Sequence, residues 1–317
     1  RIFGYTYEEF IKQRGKHIFD LSENPEIKTI LQKCKDTKKS LRYETKNTYN
    51  NGHKRWLQTT LTPVLNDDNE IIKFVAIDAD ITERKETEDK IKAQNIHITD
   101  SLKYALNIQS AILPNDKDLL TFFDGYFILY RPKDIVSGDF YWFTSVKSGK
   151  HEKQVLAVCD CTGHGVPGAF MSMIGNDLLN KIIFEKKILV PDKILTELDE
   201  GIKFALKQSN DFKSARDGMD LAICVIDEHA REIQFAGASR PLFYFKKSGF
   251  NASSEFECIE LKGDIYSVGG QPVLVKKFKT HTFEYKKGDL LYMCSDGFSD
   301  QFGGPKRKKF KYKQLQE

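Results

Sequence analysis

The chain has 317 residues, of which 40% are hydrophobic and 30% charged, a composition that fits a soluble enzyme with a large core. Its length suggests two domains. Lys and Arg number 49 against 45 Asp and Glu, so the formal net charge is only +4. This small excess gives no reason to expect binding to nucleic acid or to a membrane surface.

Membrane insertion and disulfide bonding are both unexpected from the sequence. No apolar run approaches the roughly 18 to 20 residues that a membrane-spanning helix needs. The N-terminal residues do not form a signal peptide, although a membrane anchor could precede them. The six cysteines are scattered, so we expect free thiols, and a reducing cytoplasm fits them best.

The first 82 residues are predicted to form short helices followed by a three-stranded antiparallel half-sheet. The predicted strands are 41–45, 54–62 and 71–78, and the sequence Asn-Asn-Gly at 50–52 is a hairpin-turn signal.

A long helix is predicted for residues 83–114, because no glycine or proline occurs before Pro114. We expect this helix to transmit a signal and to pair with its twin in a homodimer. The polar residues Asn95 and Gln109 fall at seam positions, so the pairing should be weak or switchable. An amphipathic helix that packs on its own domain is the alternative. The apolar seam residues, spaced by seven, are Ile91, Ile98, Ala105 and Ile112.

Strand-like segments predominate after residue 115, with two helices, at about 168–186 and 191–208, between the third and fourth strands. This order predicts an α+β fold, an α-β-β-α sandwich of antiparallel sheets flanked by helices. The predicted strands are 126–130, 139–144, 154–159, 221–227, 232–236, 242–245 and 290–295.

Three acidic signatures each follow a short apolar run of this region. A carboxylate at a strand end, beside glycine, supplies the oxygen ligands that Mg²⁺ and Mn²⁺ prefer. A single aspartate before a glycine turn usually only shapes the turn, but three such signatures indicate a metal-dependent hydrolase. The signatures are Ser137-Gly138-Asp139, Asp160-Cys161-Thr162-Gly163-His164-Gly165 and Ser295-Asp296-Gly297.

Several short motifs in the N-terminal region occur together in a known order. They are Phe3-Gly4-Tyr5, Glu8-Glu9-Phe10, Gly15-Lys16, Gly52-His53-Lys54-Arg55-Trp56 and Asp80-Ile81-Thr82-Glu83-Arg84-Lys85. Together they resemble the later part of a PAS sensor domain. The resemblance implies a PAS domain at 1–82 whose N-terminal strands are missing, and it leaves the PAS ligand unknown.

Five motifs of the C-terminal region also occur in a known order, from about Ser101 to the end. They are Arg131 to Trp142, Asp160 to Ala169, Gly218-Met219-Asp220, Ala236 to Pro241 and Gly288 to Gly297. Together they resemble the PPM protein phosphatases of the bacterial SpoIIE type. The resemblance implies a metal-dependent serine/threonine phosphatase domain at 115–317, with two Mn²⁺ or Mg²⁺ ions and with its last strand missing.

The same resemblance implies roles for four residues. Asp160 would bridge the two ions, the carbonyl of Cys161 would complete one, Asp296 would ligate the other, and Asp139 would hold metal-bound water. A metal-bridged water would then attack phosphorus. Family members supply a further metal ligand from a strand beyond this sequence, so we expect weak metal binding and slow turnover.

Other candidate residues are less specific. Arg131 and Lys133 could bind phosphate, with solvated surface charge as the alternative. His164 could be a general acid or could stabilise its turn. Asp220 is expected to support the site, since the family places its motif beside the cleft. The basic run at 306–309 lacks aromatic partners, so we expect no nucleic acid.

The leading hypothesis is a signalling phosphatase that acts on phosphoserine or phosphothreonine of a partner protein. The resemblance suggests a partner of the anti-sigma-factor-antagonist type, with PAS input relayed through the helix at 83–114. One alternative is a non-catalytic dimeric interaction module with a degenerate phosphatase domain. Another is a sensor histidine kinase, but its ATP-binding motifs are absent and His97 is a weak phospho-acceptor candidate.

Overall fold

The computed structural model describes residues 26–48, 53–114, 116–209, 214–248, 255–270, 275–305 and 307–316. The chain divides into two compact units, residues 1–99 and 100–317. The motifs at 3–16 and the turn predicted at 50–52 lie outside the described residues. Within the described part of the chain, no helix has the length and apolar character to cross a membrane.

The N-terminal unit contains one helix packed on a three-stranded antiparallel sheet of order β1-β2-β3. Ile27, Leu31 and Cys34 lie on one face of the helix and are buried with Leu61 of the central strand. The predicted half-sheet is confirmed. The elements are α1 (Ile27–Thr37), β1 (Leu41–Thr48), β2 (Lys54–Leu65) and β3 (Ile71–Asp80).

A single helix, α2 (Thr82–Ile112), follows the sheet without interruption. The side chain of Asp80 accepts hydrogen bonds from the backbone N–H and hydroxyl of Thr82, which fixes the start of the helix. The predicted helix is therefore present. The prediction that Gln109 lies in the seam between two paired helices is wrong, because its side chain is only 3% exposed and is buried within its own unit.

In its described residues, the C-terminal unit has two main antiparallel sheets, a small two-stranded sheet and a pair of long helices. Its elements are α3 (Asp116–Phe122), β4 (Phe140–Ser148), β5 (His151–Cys161), α4 (Gly165–Asn180) with a π-helical turn at Lys181–Glu185, α5 (Pro191–Ala205), β6 (Gly218–Asp227), β7 (Glu232–Ala238), β8 (Leu242–Ser248), β9 (Glu255–Leu261), β10 (Val268–Gly269), β11 (His281–Glu284), β12 (Leu290–Tyr292), α6 (Asp296–Ser299), β13 (Phe302–Gly303), β14 (Lys308–Lys309) and α7 (Lys311–Gln316).

The larger sheet lies between the long helices and the smaller sheet. Its strand order is β11-β7-β6-β5-β4, with β10 paired to β6, and the smaller sheet has the order β12-β8-β9. Alternate residues of β5, such as Val155 and Ala157, pack under α4 and α5. On the other face, Cys224 and Phe235 form a second core with Leu242 of the smaller sheet. The predicted α+β class with antiparallel sheets is confirmed.

The main difference from the sequence prediction lies just before β4. Residues 126–130 were predicted as a strand, and this prediction is wrong because they form no strand. Phe127 and Leu129 are 69% and 61% exposed, so this apolar run does not form a buried strand. Strands β9 and β11 and the two-residue strands β10, β13 and β14 were not predicted. All six cysteines are free, as expected.

Candidate functional site

Three aspartates from distant segments lie together at one end of the larger sheet. The register of β5 and β6 places Asp160 directly opposite Asp220. Asp296 is the first residue of α6, and its backbone N–H donates to Oδ2 of Asp160 at 3.2 Å. Cys159 and Cys161, which flank Asp160, are in the core beneath the helices. Strand alternation therefore directs Asp160 to the opposite face.

The guanidinium of Arg240 lies among these three carboxylates. Its Nη2 atom is 2.6 Å from Asp160 Oδ2, 3.0 Å from Asp296 Oδ2 and 3.2 Å from Asp220 Oδ2. The side chain of Arg240 is 10% exposed, and its Nη1 atom donates to the hydroxyl of Tyr312 at 3.2 Å. Sequence analysis gave Arg240 no role, although it lies in one of the family motifs.

The pocket has more negative than positive charge. Burial raises the pKa of Asp160 to about 7; Arg240 opposes this shift, and Asp139 and Asp296 add to it. Burial would lower the pKa of Arg240, but the carboxylates of Asp160 and Asp296 and the hydrogen bond to Tyr312 raise it overall. Three carboxylates therefore share one guanidinium, and an additional cation would be bound favourably.

Asp139 is held at the edge of the same pocket. The hydroxyl of Ser295 donates to Asp139 Oδ2 at 2.6 Å, which brings Asp139 next to Asp296. The preceding residue must be glycine, because a Cβ atom on Gly138 would lie 2.6 Å from the carbonyl oxygen of Gly163. The loop before β4 thus packs directly on the turn that follows β5.

Helix α2 is bound to this loop through Gln109. The backbone N–H of Ser137 donates to Gln109 Oε1 at 3.0 Å, and Gln109 Nε2 donates to the carbonyl oxygen of Ser137 at 2.6 Å. The same Nε2 atom lies 2.9 Å from Ser172 Oγ of α4. The end of the long helix is therefore joined to the residue two positions before Asp139.

The turn after Asp160 is fixed to the neighbouring strand. Thr162 donates its backbone N–H to the carbonyl of Gly218 at 2.9 Å, and Gly218 donates its N–H to Thr162 Oγ1 at 3.1 Å. The side chain of Cys161 is buried. Its carbonyl oxygen borders Gly138, 3.3 Å from the position of a Cβ atom there, and so faces the Asp139 loop.

The other predicted site residues lie on the rim. The Nδ1 atom of His164 is 2.6 Å from Asp134 Oδ2, and its Nε2 atom is 3.4 Å from Lys133 Nζ. Its side chain is 66% exposed. Arg131 is also exposed, and among the described residues it makes no contact with the carboxylates. The structure thus gathers Asp139, Asp160, Asp220 and Asp296, and leaves Arg131, Lys133 and His164 at or beyond the edge.

No group of three or more Asp, Glu, His or Cys side chains within the described residues is spaced to enclose a metal ion as it stands. The carboxylates surround the guanidinium of Arg240 instead. The metal-ligand set of Asp139, Asp160, Cys161 and Asp296 stays a prediction.

Comparisons with known proteins agree with this fold. The model of the family Stage II sporulation protein E (SpoIIE) matches residues 150–317, and that of the PAS domain matches residues 1–83. Among solved structures, the SiaA-PP2C domain of Pseudomonas aeruginosa is 30% identical, with 70% of this chain and 81% of that chain covered and a TM-score of 0.58.

A structure of the PP2C phosphatase domain and part of the regulatory domain of SpoIIE from Bacillus subtilis is 25% identical, covers 51% of this chain and 41% of that chain, and has a TM-score of 0.37. No curated protein sequence matches the chain. The chain therefore belongs to the SpoIIE family of PP2C-type protein phosphatases and has a PAS domain at its N-terminal end.

Proposed function

We propose that the protein removes phosphate from phosphoserine or phosphothreonine of a signalling partner protein in a metal-dependent reaction. The partner we propose is of the anti-sigma-factor-antagonist type. The observation that supports the reaction is the convergence of Asp160, Asp220 and Asp296 on one positively charged atom, with Asp139 beside them. A pocket of this kind is suited to cations and to the phosphate group that cations attract.

The donor atoms of the pocket fit Mn²⁺ or Mg²⁺. Carboxylate and backbone carbonyl oxygens are the ligands that these hard ions prefer. The residues that would hold two ions are Asp160, Asp296, Asp139 and, through its carbonyl oxygen, Cys161. When bound, the ions would lower the pKa of water and neutralise charge on the phosphate.

Other residues of the chain would position the phosphate group and protonate the leaving alcohol. Ser295 orients the carboxylate of Asp139 through a 2.6 Å hydrogen bond. Arg131 and Lys133 on the rim would attract phosphate oxygens. Asp134 holds one ring nitrogen of His164, so the exposed imidazole could deliver a proton to the leaving alcohol oxygen. No covalent phospho-enzyme is needed.

The test is hydrolysis of p-nitrophenyl phosphate and of a phosphoserine peptide with Mn²⁺. We expect Asp160→Asn to lower kcat/KM about a thousandfold, equivalent to about 4 kcal/mol of activation free energy. Asp177→Asn is the matched control, because Asp177 is 62% exposed and its ion pair among the described residues is with the surface residue Lys181. Equal rates for the Asp160 variant and the control would contradict the proposal, and a wild type without activity would favour the interaction-module alternative.

We further propose that the PAS domain regulates the reaction through α2. Support comes from the unbroken helix and from the hydrogen bonds between Gln109 and Ser137, two residues from Asp139. Homodimer pairing through α2 remains part of this proposal. Ile91 and Ile98 are 51% and 58% exposed and so are available for it.

Insertions in α2 test the relay. Two extra residues after Asn95 should turn the preceding part of the helix by about 200° relative to Gln109 and change the phosphatase rate. Seven extra residues restore the helical phase to within about 20° and should leave the rate near that of the wild type. Identical rates in all three proteins would rule out a relay through helix rotation.

A further inference from the structure

Arg240 is bound in an unusual way for a structural arginine. A guanidinium normally spreads its five N–H donors over several acceptors and pairs with a carboxylate through two parallel hydrogen bonds. Here a single atom, Nη2, faces Asp160, Asp220 and Asp296. The Nε atom is buried and has no hydrogen-bond partner among the described residues. The guanidinium therefore places its positive charge among three carboxylates through one nitrogen atom, while Nη1 bonds Tyr312.

The sheet register makes such a charge necessary. Asp160 and Asp220 are directly opposite each other on β5 and β6, and like charges at that position destabilise a sheet. Asp296 adds a third carboxylate at the same point. In the absence of metal ions these groups would repel one another, and Arg240 is the cation that the structure places among them.

Close contacts with neighbouring backbone hold the main chain of Arg240 in place, and these contacts do not involve its side chain. Ser239 has a left-handed φ of 60° and donates its N–H to Asp264 O at 2.7 Å, which sets the turn into β8. A Cβ atom on Gly263 would lie 2.5 Å from the carbonyl oxygen of Arg240, so the two backbones are in close contact. Movement of the guanidinium must therefore come from rotation about side-chain bonds.

We infer that Arg240 is a resident counter-cation, which neutralises the carboxylate pocket of the metal-free protein and competes with divalent ions for the same oxygens. This inference rests on the proposed metal-dependent function. Asp160 and Asp296 are predicted metal ligands, and each also bonds the guanidinium. Metal binding would then require these contacts to break, and Arg240 would reduce the apparent metal affinity.

The test is a Mn²⁺ titration of the full chain, with free Mn²⁺ measured by electron paramagnetic resonance. We expect Arg240→Met to lower the apparent Kd for Mn²⁺ about tenfold, because the competing cation is removed. The metal-free variant should also unfold at a lower temperature than the metal-free wild type. Mn²⁺ should then raise the unfolding temperature of the variant by more than it raises that of the wild type.

Two further variants keep the result interpretable. Arg231→Met makes the same charge change in the exposed turn between β6 and β7. The turn comes after Asp227, the last residue of β6, and Asp227 is about 23 Å along the strand from Asp220. At that distance from the carboxylates, the substitution should leave the Kd for Mn²⁺ unchanged. Arg240→Lys keeps the charge but lacks the fork of donors, so its Kd should fall between those of wild type and Arg240→Met, and it can be measured if Arg240→Met does not fold.

An unchanged or higher Kd in the Arg240 variants would overturn the inference, and a higher Kd would show that Arg240 assists metal binding. The readout is binding rather than turnover, so it separates this inference from the proposed function. If the protein binds Mn²⁺ with the expected dependence on Arg240 but hydrolyses no phosphate ester, the proposed function fails and the competition stands.

Discussion

Two charge clusters in the C-terminal unit, each built around a largely buried cation, have an opposite balance of positive and negative side chains. In the Lys276 cluster, the carboxylate of Asp199 bonds both Lys276 and Lys203, at 2.7 and 2.6 Å. The two other hydrogen bonds of Lys276 Nζ go to the carbonyl oxygens of Ser267 and Gly269, so the ammonium group is saturated. The Lys276 cluster joins α5 to the segment that contains β10.

In the Arg240 cluster, by contrast, three carboxylates share one guanidinium whose Nε atom has no hydrogen-bond partner among the described residues. The comparison separates two uses of buried charge. A cluster in which each donor has an acceptor stabilises the fold, because no group loses its water without replacement. A cluster with surplus carboxylate is suited to bind ligands.

Among the substitutions that test this comparison, the largest loss of stability is expected for a substitution of Lys276. Lys276→Met leaves two backbone carbonyl oxygens without their donor and weakens the pairing of Asp199, so we expect the free energy of unfolding in urea to fall by about 3 kcal/mol. Lys181→Met is the matched control; its pair with Asp177 is on the surface, where solvent screens the two charges, so this variant should unfold at nearly the same urea concentration as the wild type. Equal losses would show that the Lys276 cluster is not a structural one.

The second prediction concerns pH. The pKa of Asp160 is raised from 3.8 to about 7, so between these values the folded protein binds a proton that the unfolded chain has released. The stability of the metal-free protein should therefore fall as pH rises from about 4 to 7, by at most about 1.4 kcal/mol per pH unit, and this contribution should be constant above 7.

Urea unfolding in EDTA between pH 5 and 8 measures this slope. Asp160→Asn should flatten it, whereas Asp177→Asn should leave it unchanged. The charged groups that face Asp160 are Arg240, Asp139, Asp220 and Asp296. A slope of the opposite sign that is removed by Asp160→Asn would mean that Arg240 outweighs the burial of this carboxylate.

The smallest expected effect is at Ser267, which belongs to both clusters. Its carbonyl oxygen accepts from Lys276, and its hydroxyl donates to Asp220 Oδ1. Ser267→Ala removes only the second bond, so we expect a loss of about 1 kcal/mol in the metal-free protein. Ser145→Ala, which removes an exposed bond to Glu152, should have almost no effect. A loss as large as that of Lys276→Met would mean that the two clusters form one structural unit.

Much of the fold could be predicted because local pattern reflects local burial. The apolar run of β5 and the unbroken sequence of α2 gave the correct element types. The same reasoning failed at 126–130, an apolar run in which Phe127 and Leu129 remain exposed. It also failed at Gln109, where a heptad position indicated a partner helix and the structure instead shows a bond to Ser137 of the same chain.

The sequence by itself determined the long helices, most of the strands and the carboxylates at their ends, because these depend on residues close together in the chain. Only the tertiary structure decided which charges meet. Arg240 is 80 residues from Asp160, and Lys276 is 77 residues from Asp199. No local periodicity relates such positions, since their contact depends on strand register and on turns such as that at Ser239.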